Sequence, residues 1–232
     1  LAPVGGADQL RAAVYCGADA VYLGGKGFNA RRNAENFDRL DLAEAVTFCH
    51  GRGVKVYVTV NTLITDREQR ALMEELRGIA EAGADAIIVQ DLAVARLARL
   101  CCPSLPLHAS TQMILHGTDG AELARELGFC RIVPARELSI EEIRTLAETG
   151  LEIECFVHGA LCMCVSGGCY LSAMLGGRSG NRGLCAQPCR LDFTAPDGRA
   201  YALSLKDMSY VQHIRTLAEA GVCSLKIEGR MK

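Results

Sequence analysis

A single phrase recurs six times along this chain: a helical stretch, a glycine, then a short β-rich run. It reads AAVYCGADAVYLGG, FCHGRGVKVYVTVN, IAEAGADAIIVQD, LARELGFCRIVPARE, LAETGLEIECFVHG and LAEAGVCSLKIEGR. The glycines are Gly17, Gly53, Gly83, Gly128, Gly150 and Gly221. Each falls where a helix C-terminus calls for a residue tolerant of positive φ. The run that follows is rich in Val, Ile and Leu and nearly continuous, the pattern of a parallel strand buried on both faces. Repeats of this kind make an α/β fold with a parallel sheet.

The pattern predicts eight strands, near 2–5, 19–24, 54–61, 85–91, 106–112, 130–137, 152–159 and 222–228. Helices are predicted near 7–16, 41–51, 67–82, 92–101, 118–127, 139–149 and 208–220. Eight βα strands point to a TIM-like (βα)₈ barrel. The rival is an open doubly wound sheet, which expects a glycine-rich dinucleotide turn after its first strand. The segment APVGGADQ has Gly5 and Gly6 but no GxGxxG, which favours the barrel. The chain stops at Lys232, just after strand eight, so the barrel lacks its last helix. The expectation is one domain over residues 1–232, a piece of a longer protein. With 50% hydrophobic and 22% charged residues, disorder is excluded, and one core needs no disulfide to hold it.

One connection is out of scale. About 60 residues separate strands seven and eight, where a loop and helix take about 20–25. The excess, residues 160–203, is a Cys/Gly-rich insertion reading GALCMCVSGGCYLSAMLGGRSGNRGLCAQPCRL. Cys162, Cys169, Cys185 and Cys189 stand in it at C-x6-C-x15-C-x3-C. Four soft thiolates on one glycine-rich segment can converge on a single centre, with backbone N–H groups offsetting its negative charge. Structural zinc sites pair their ligands at C-x2–4-C, and here Cys185 and Cys189 alone fit. An iron–sulfur cluster is larger and tolerates wider spacing. Both metals stay open on spacing, as does a set of buried free thiols. Cys16, Cys49, Cys130, Cys155 and Cys223, with Cys101 and Cys102 at a helix end, read as small core residues. Cys164 falls inside the first ligand spacing and reads first as packing, with a spare ligand or a redox-active thiol as the alternatives.

In a (βα)₈ barrel the chemistry sits at the C-terminal strand ends. Polar residues end the predicted strands here: Asn61, Gln90 and Asp91, then His108, Ser110 and Gln112, then Arg136 and Glu137, His158, and finally Lys226, Glu228 and Arg230. His108 and His158 are candidate acid–base groups. Arg136, Lys226 and Arg230 suit an anionic ligand through charge-assisted hydrogen bonds, and Glu137 and Glu228 complete the candidate set. From Arg178 onward nine Lys or Arg face five Asp or Glu, a mildly basic mouth on a chain of net charge −2. A basic coat for nucleic acid is thereby excluded, but local RNA contact is not. There is no HExxH, GxSxG or P-loop.

The 23-residue stretch Cys155 to Gly177 has no formal charge and could span a bilayer by length. Its glycines, cysteines and His158 make it a poor spanning helix, so no membrane association is expected. Twelve cysteines without a signal peptide suggest a reducing, cytoplasmic setting with metal or cluster ligands.

The motifs FVHGALC, GGRSGNRGLCAQPCR, LHASTQ and SLKIEGRMK, with the opening APVGGADQLRAAVYCGADAVYLGGKGFNAR, resemble the peptidase U32 family over essentially the whole chain. The resemblance implies one of two activities, of which RNA hydroxylation is the main reading because it accounts for the four cysteines, the mildly basic mouth and the missing protease motifs. Some members are described as collagenase-like proteases. Others carry out oxygen-independent hydroxylation, making 5-hydroxyuridine in tRNA or 5-hydroxycytidine in 23S rRNA; a ubiquinone-pathway pair belongs to the same superfamily. It also implies a [4Fe–4S] cluster on Cys162, Cys169, Cys185 and Cys189, and prephenate as hydroxyl donor. Expected partners are therefore RNA (tRNA or rRNA) or a peptide, with an electron donor. A barrel with a merely structural metal site is the third reading. Full-length members extend past the LKIEGR segment, and Cys164 departs from their usual pattern.

Overall fold

A computed structural model describes residues 1–31, 34–166 and 168–229. The elements run β1 (Ala2–Pro3), α1 (Ala7–Tyr15), β2 (Ala20–Gly24), α2 (Arg39–His50), β3 (Lys55–Val60), α3 (Gln69–Glu81), β4 (Ala86–Val89) and α4 (Leu92–Cys101). They continue through β5 (Leu107–Ala109), α5 (Thr118–Glu126), β6 (Phe129–Ile132), α6 (Ile140–Ala147), β7 (Glu152–Gly159), α7 (Leu171–Gly176), β8 (Met208–Ser209), α8 (Ile214–Glu219) and β9 (Val222–Ile227). Neighbours β1 to β7 pair in parallel in chain order, and β9 pairs in parallel with β7. The ring closes through Leu1: its amino group donates to the Leu225 carbonyl at 2.8 Å, and Ile227 N–H donates to its carbonyl at 3.1 Å. The result is the TIM-like barrel expected from the repeats.

Local chemistry explains the punctuation. The six repeat glycines all sit at φ between +72° and +92°, where a side chain would be strained. Asp38 accepts from the Leu40 and Asp41 amides to start α2, and Ser139 with Glu142 forms a reciprocal cap on α6. Such caps satisfy amide donors that a helix start otherwise leaves unpaired.

Strand residues alternate between two layers. Val21, Leu23, Val56, Val58, Ile87, Leu107, Ile132 and Ile153 face outward against helix residues such as Leu42, Leu72, Leu76, Ile79 and Leu146. Each such side chain, fully buried, contributes about 1.5–3 kcal/mol. Ala20, Tyr22, Tyr57, Ala86 and Ile88 face the barrel axis as a separate small cluster. The axis also takes charge, contrary to the expectation of strands apolar on both faces. Glu154 is fully buried and accepts from Lys226 Nζ (2.9 Å), Ser224 Oγ (2.9 Å) and Arg131 Nη1 (3.1 Å).

The insertion leaves the barrel at Gly159 and returns at β8, which pairs antiparallel with β7 through His158–Ser209 and Gly159–Met208. Residues 208 and 209 are therefore strand, where the helical pattern predicted the start of a helix; α8 begins at Ile214. The cause is tertiary, since the end of β7 captures this short segment. Between them the insertion forms α7 and short 3₁₀ turns. No helix among the described residues is long and apolar enough to cross a membrane.

Candidate functional site

Loops at the C-terminal strand ends enclose a pocket of about 340 Å³. The barrel supplies Tyr22, Thr59, Ser110, Phe156 and Lys226 to its wall, and the connecting loops supply Arg31, Asn61, Gln112 and Arg136. The insertion supplies Cys162, Cys185, Cys189 and Arg190, and the end of β9 supplies Glu228 and Gly229.

The insertion reaches this position by being tied to the barrel. Arg136 Nη1 donates to the Ala160 carbonyl at 2.9 Å, its Nη2 pairs with Glu228, and its plane lies 4.0 Å from the Phe156 ring centre. Glu137 accepts from the Ser166 amide at 3.1 Å. Arg190 holds both limbs: Nη2 donates to Leu161 O (2.6 Å), and Nη1 donates to Leu205 O (2.8 Å) and Ser204 Oγ (3.1 Å). Arg182 pairs with Glu68 and donates to Leu63 O, fastening the far side to the loop after β3. At Gly183, φ is +76° and an added Cβ would strike the Ala30 backbone, so the insertion and the loop after β2 touch main chain to main chain.

Three of the four cysteines thus open onto one pocket. Surrounding protein pushes the Cys162 thiol pKa up; the Arg136 guanidinium opposes this, while Glu228, Cys185 and Cys189 add to it. Cys162 therefore feels both other thiols of the wall. Cys185 Sγ accepts from the Gln187 amide at 3.3 Å. Cys169 is half-buried and stands off the pocket wall, with its carbonyl next to Gly180, which also abuts the Cys185 Cβ. Thiols in this arrangement are a soft donor set of the kind iron and zinc prefer. Among the described residues no three His, Cys, Asp or Glu side chains are drawn in around a single ion.

The other sequence candidates divide. Arg136, Lys226 and Glu228 line the pocket, but each is already in an ion pair. Glu137 serves as an anchor for Ser166 rather than as part of the wall. His108 lies deeper in the barrel, edge-on to Tyr57 at 4.7 Å, with Nδ1 buried and unpartnered. Burial, aided by Arg131, pushes its pKa down to about 3, so it is neutral at pH 7. His158 is exposed, and its ring is not part of the wall. Arg230 lies outside the described residues. Cys164, read as packing, is half-buried with its Sγ 3.8 Å from the Gly168 carbonyl.

The profile of peptidase family U32 matches residues 5–232. The chain belongs to this family. Three U32-like relatives align along all of it: the 23S rRNA 5-hydroxycytidine C2501 synthase of Escherichia coli (43% identical), the tRNA hydroxylation protein P1 of Bacillus subtilis (38%) and a collagenase of Porphyromonas gingivalis (37%). The chain spans 36%, 58% and 61% of their respective lengths. The solved structure of the U32 peptidase Mk0906 superposes with a TM-score of 0.67 at 14% identity, over 99% of this chain and 92% of that one. That likeness bears on the fold, and it agrees with the barrel described above.

Sequence reasoning on this U32 chain missed Arg31, Tyr22, Phe156 and Arg190 in the pocket, and Arg131 and Glu154 beneath it. The last two had a signal: charged residues inside otherwise apolar strand runs. Arg31 had none, because its place depends on a loop fold.

Proposed function

We propose that this chain is the barrel part of an iron–sulfur enzyme that hydroxylates a pyrimidine of tRNA or rRNA without molecular oxygen, in the cytoplasm. The observation that carries the proposal is the pocket itself. Cys162, Cys185 and Cys189 open onto the same space as the Tyr22 and Phe156 rings and a set of arginines. A base in folded RNA is reached by extruding it into such a pocket, where aromatic faces and hydrogen bonds hold it. A volume of about 340 Å³ admits one ring system, at the small end of ordinary ligand sites. The names of the Escherichia coli and Bacillus subtilis relatives support the same chemistry.

Cys162, Cys169, Cys185 and Cys189 are the residues that would hold a [4Fe–4S] cluster, which supplies one-electron chemistry when bound, with reduction by a partner electron donor. The chain's own residues have the remaining tasks. Arg136 and Glu137 brace the segment leading through Cys162, and Arg190 braces the segment after Cys189. Lys226, its charge balanced by Glu154, is a fixed part of the pocket wall. Tyr22 keeps its phenol protonated, since burial drives its pKa well above the usual value, and its Oη donates to Ile227 O at 2.9 Å.

Mass spectrometry of tRNA and rRNA from a deletion strain tests the proposal. Loss of a pyrimidine carrying one extra oxygen, restored by the wild-type gene and not by Cys185→Ser, is the expected result. Unchanged RNA, together with peptide cleavage by anaerobically purified protein, would replace the proposal with the peptidase reading that the collagenase relative suggests. Hydrolysis needs a nucleophile beside a base, or a metal-bound water, and neither His108 nor His158 lines the pocket.

A further inference from the structure

The positive charges of the pocket are not equivalent. Lys226 is neutralised by Glu154 and Arg136 by Glu228. Arg190 has no carboxylate partner among the described residues, but its terminal nitrogens are spent on Leu161 O, Leu205 O and Ser204 Oγ. Arg31 differs from all three. It meets no carboxylate among the described residues. Its Nη1 donates to Val4 O at 3.0 Å, and its Nη2 is buried with no acceptor among the described residues.

Three separate segments hold Arg31 in this state. Its guanidinium carbon lies 4.6 Å from the Tyr22 ring centre. Tyr22 Oη is itself fixed, donating to Ile227 O and accepting from the Gly229 amide at 3.1 Å. Gly229 is where the seat is tightest, since a Cβ there would collide with Arg31 Nη2 and crowd Pro3. The backbone of the arm carrying Arg31 is itself pinned, with Ala30 N–H donating to Asn61 Oδ1 at 3.0 Å and Arg31 N–H to Asn29 Oδ1 at 2.7 Å. A guanidinium placed this carefully, partly dehydrated and with no carboxylate within ion-pair distance among the described residues, is costly to a fold. The cost is recovered when an oxyanion meets it, because Arg presents a fork that matches carboxylate and phosphate.

We infer that Arg31 is an oxyanion receptor of the pocket, taking a carboxylate or phosphate group of the ligand, with the Arg31–Tyr22–Gly229 seat as its support. This assigns to Arg31 the role that residue type alone suggested for Arg136, Lys226 and Arg230. The inference rests on the pocket being the reaction site but not on the reaction proposed for it.

Titration calorimetry on the anaerobically purified full-length protein containing this chain decides the matter. The probes are malonate, inorganic phosphate and a short uridine oligonucleotide. We expect at least one to bind saturably, and Arg31→Gln to weaken it by roughly 10- to 100-fold, the loss typical of a charge-assisted pair. The exposed Arg11→Gln control leaves binding unchanged. Should Arg31→Gln fail to fold, Arg31→Lys serves instead: it keeps the charge, loses the fork, and binds several-fold more weakly. Preference for malonate assigns a small carboxylic acid; binding of the oligonucleotide with no response to malonate assigns an RNA phosphate. Equal affinity of all probes for wild type and Arg31 variants, or no saturable binding, overturns the inference. Anion binding at Arg31 in a protein whose deletion leaves RNA unchanged would retire the hydroxylase reading and leave this one standing.

Discussion

The barrel wall and the insertion of residues 160–207 are stabilised in different ways. The wall buries two dozen or more apolar side chains between strands and helices. Within the insertion the buried side chains include Ser166, Ser172 and Pro188, while Met163, Met174, Leu175, Leu191 and Tyr201 stay exposed. What positions the insertion is a set of arginine forks gripping carbonyl oxygens: Arg136 on Ala160, Arg190 on Leu161 and Leu205, Arg182 on Leu63. Apolar burial is non-directional and fills volume, whereas a fork on a carbonyl fixes one segment at one place. The molecule uses the first to build the frame and the second to aim its cysteines.

If that contrast is right, the largest effect comes from the cysteines. On the proposed iron–sulfur reading, Cys185→Ser abolishes iron retention and reduces the oxidised pyrimidine in RNA by at least ~100-fold, since cysteine thiolates hold such a cluster. Hydrogen exchange should rise across residues 160–207 and stay unchanged in β2 to β6. Equal loosening of the wall would break the comparison.

Next is the charged axis of the barrel. Glu154→Ala leaves Lys226 and Arg131 buried without their carboxylate and should cost about 3–5 kcal/mol of global stability by urea unfolding. Burial alone would raise the Glu154 pKa, but Lys226, Arg131 and Ser224 outweigh it and hold the carboxyl at about 2. A loss of under ~1 kcal/mol would mean that water compensates this axis.

His108 comes third. Its folded pKa is depressed to about 3, below the ~6.5 of an unfolded histidine. Below pH ~6.5 the unfolded chain takes up a proton that the folded chain refuses. Its contribution is therefore complete above that pH and lost as pH falls toward 3, on the order of 1.4 kcal/mol per unit. The His108 ring should show no NMR titration step near 6.5, and His108→Gln should flatten this part of the stability profile. A step near 6.5 would place the ring in contact with water.

The smallest effect belongs to the outer tether. Arg182 and Thr65 hold the Glu68 carboxyl down at about 2, so this tether is intact above the ordinary glutamate range and weakens as pH falls toward 2. The pair is partly exposed, and Arg182→Ala should cost at most ~1 kcal/mol globally. Faster exchange at residues 180–186, absent from the wall, is the sharper readout.

Most of the frame is legible in the sequence alone. All eight parallel strands lie within a few residues of their predicted places, because helix, glycine and strand signals are local and repeat. The two-residue β8 was not legible. Met208 and Ser209 become strand because His158 and Gly159 offer them a free edge. Of the site, the cysteines and the polar strand ends were readable as residue types. Which of them share a pocket was not: Cys162, Cys185 and Cys189 line it with Lys226 and Glu228, while His108 sinks below it and His158 stays outside.

The sequence by itself determined the repeat, and the repeat determined the barrel. A helix ending at a glycine and followed by an apolar run has few ways to bury its surface; six such units, with the strands around them, make eight parallel strands that close on themselves. Only the tertiary structure decided how charge is distributed among equivalent-looking cations. Lys226 and Arg136 acquired carboxylate partners from β7 and the end of β9, and among the described residues Arg31 acquired none. Those pairings join residues 72 and 92 positions apart in the chain. Electrostatic energy depends on distance in space, and sequence spacing carries that information only within a single helix or strand.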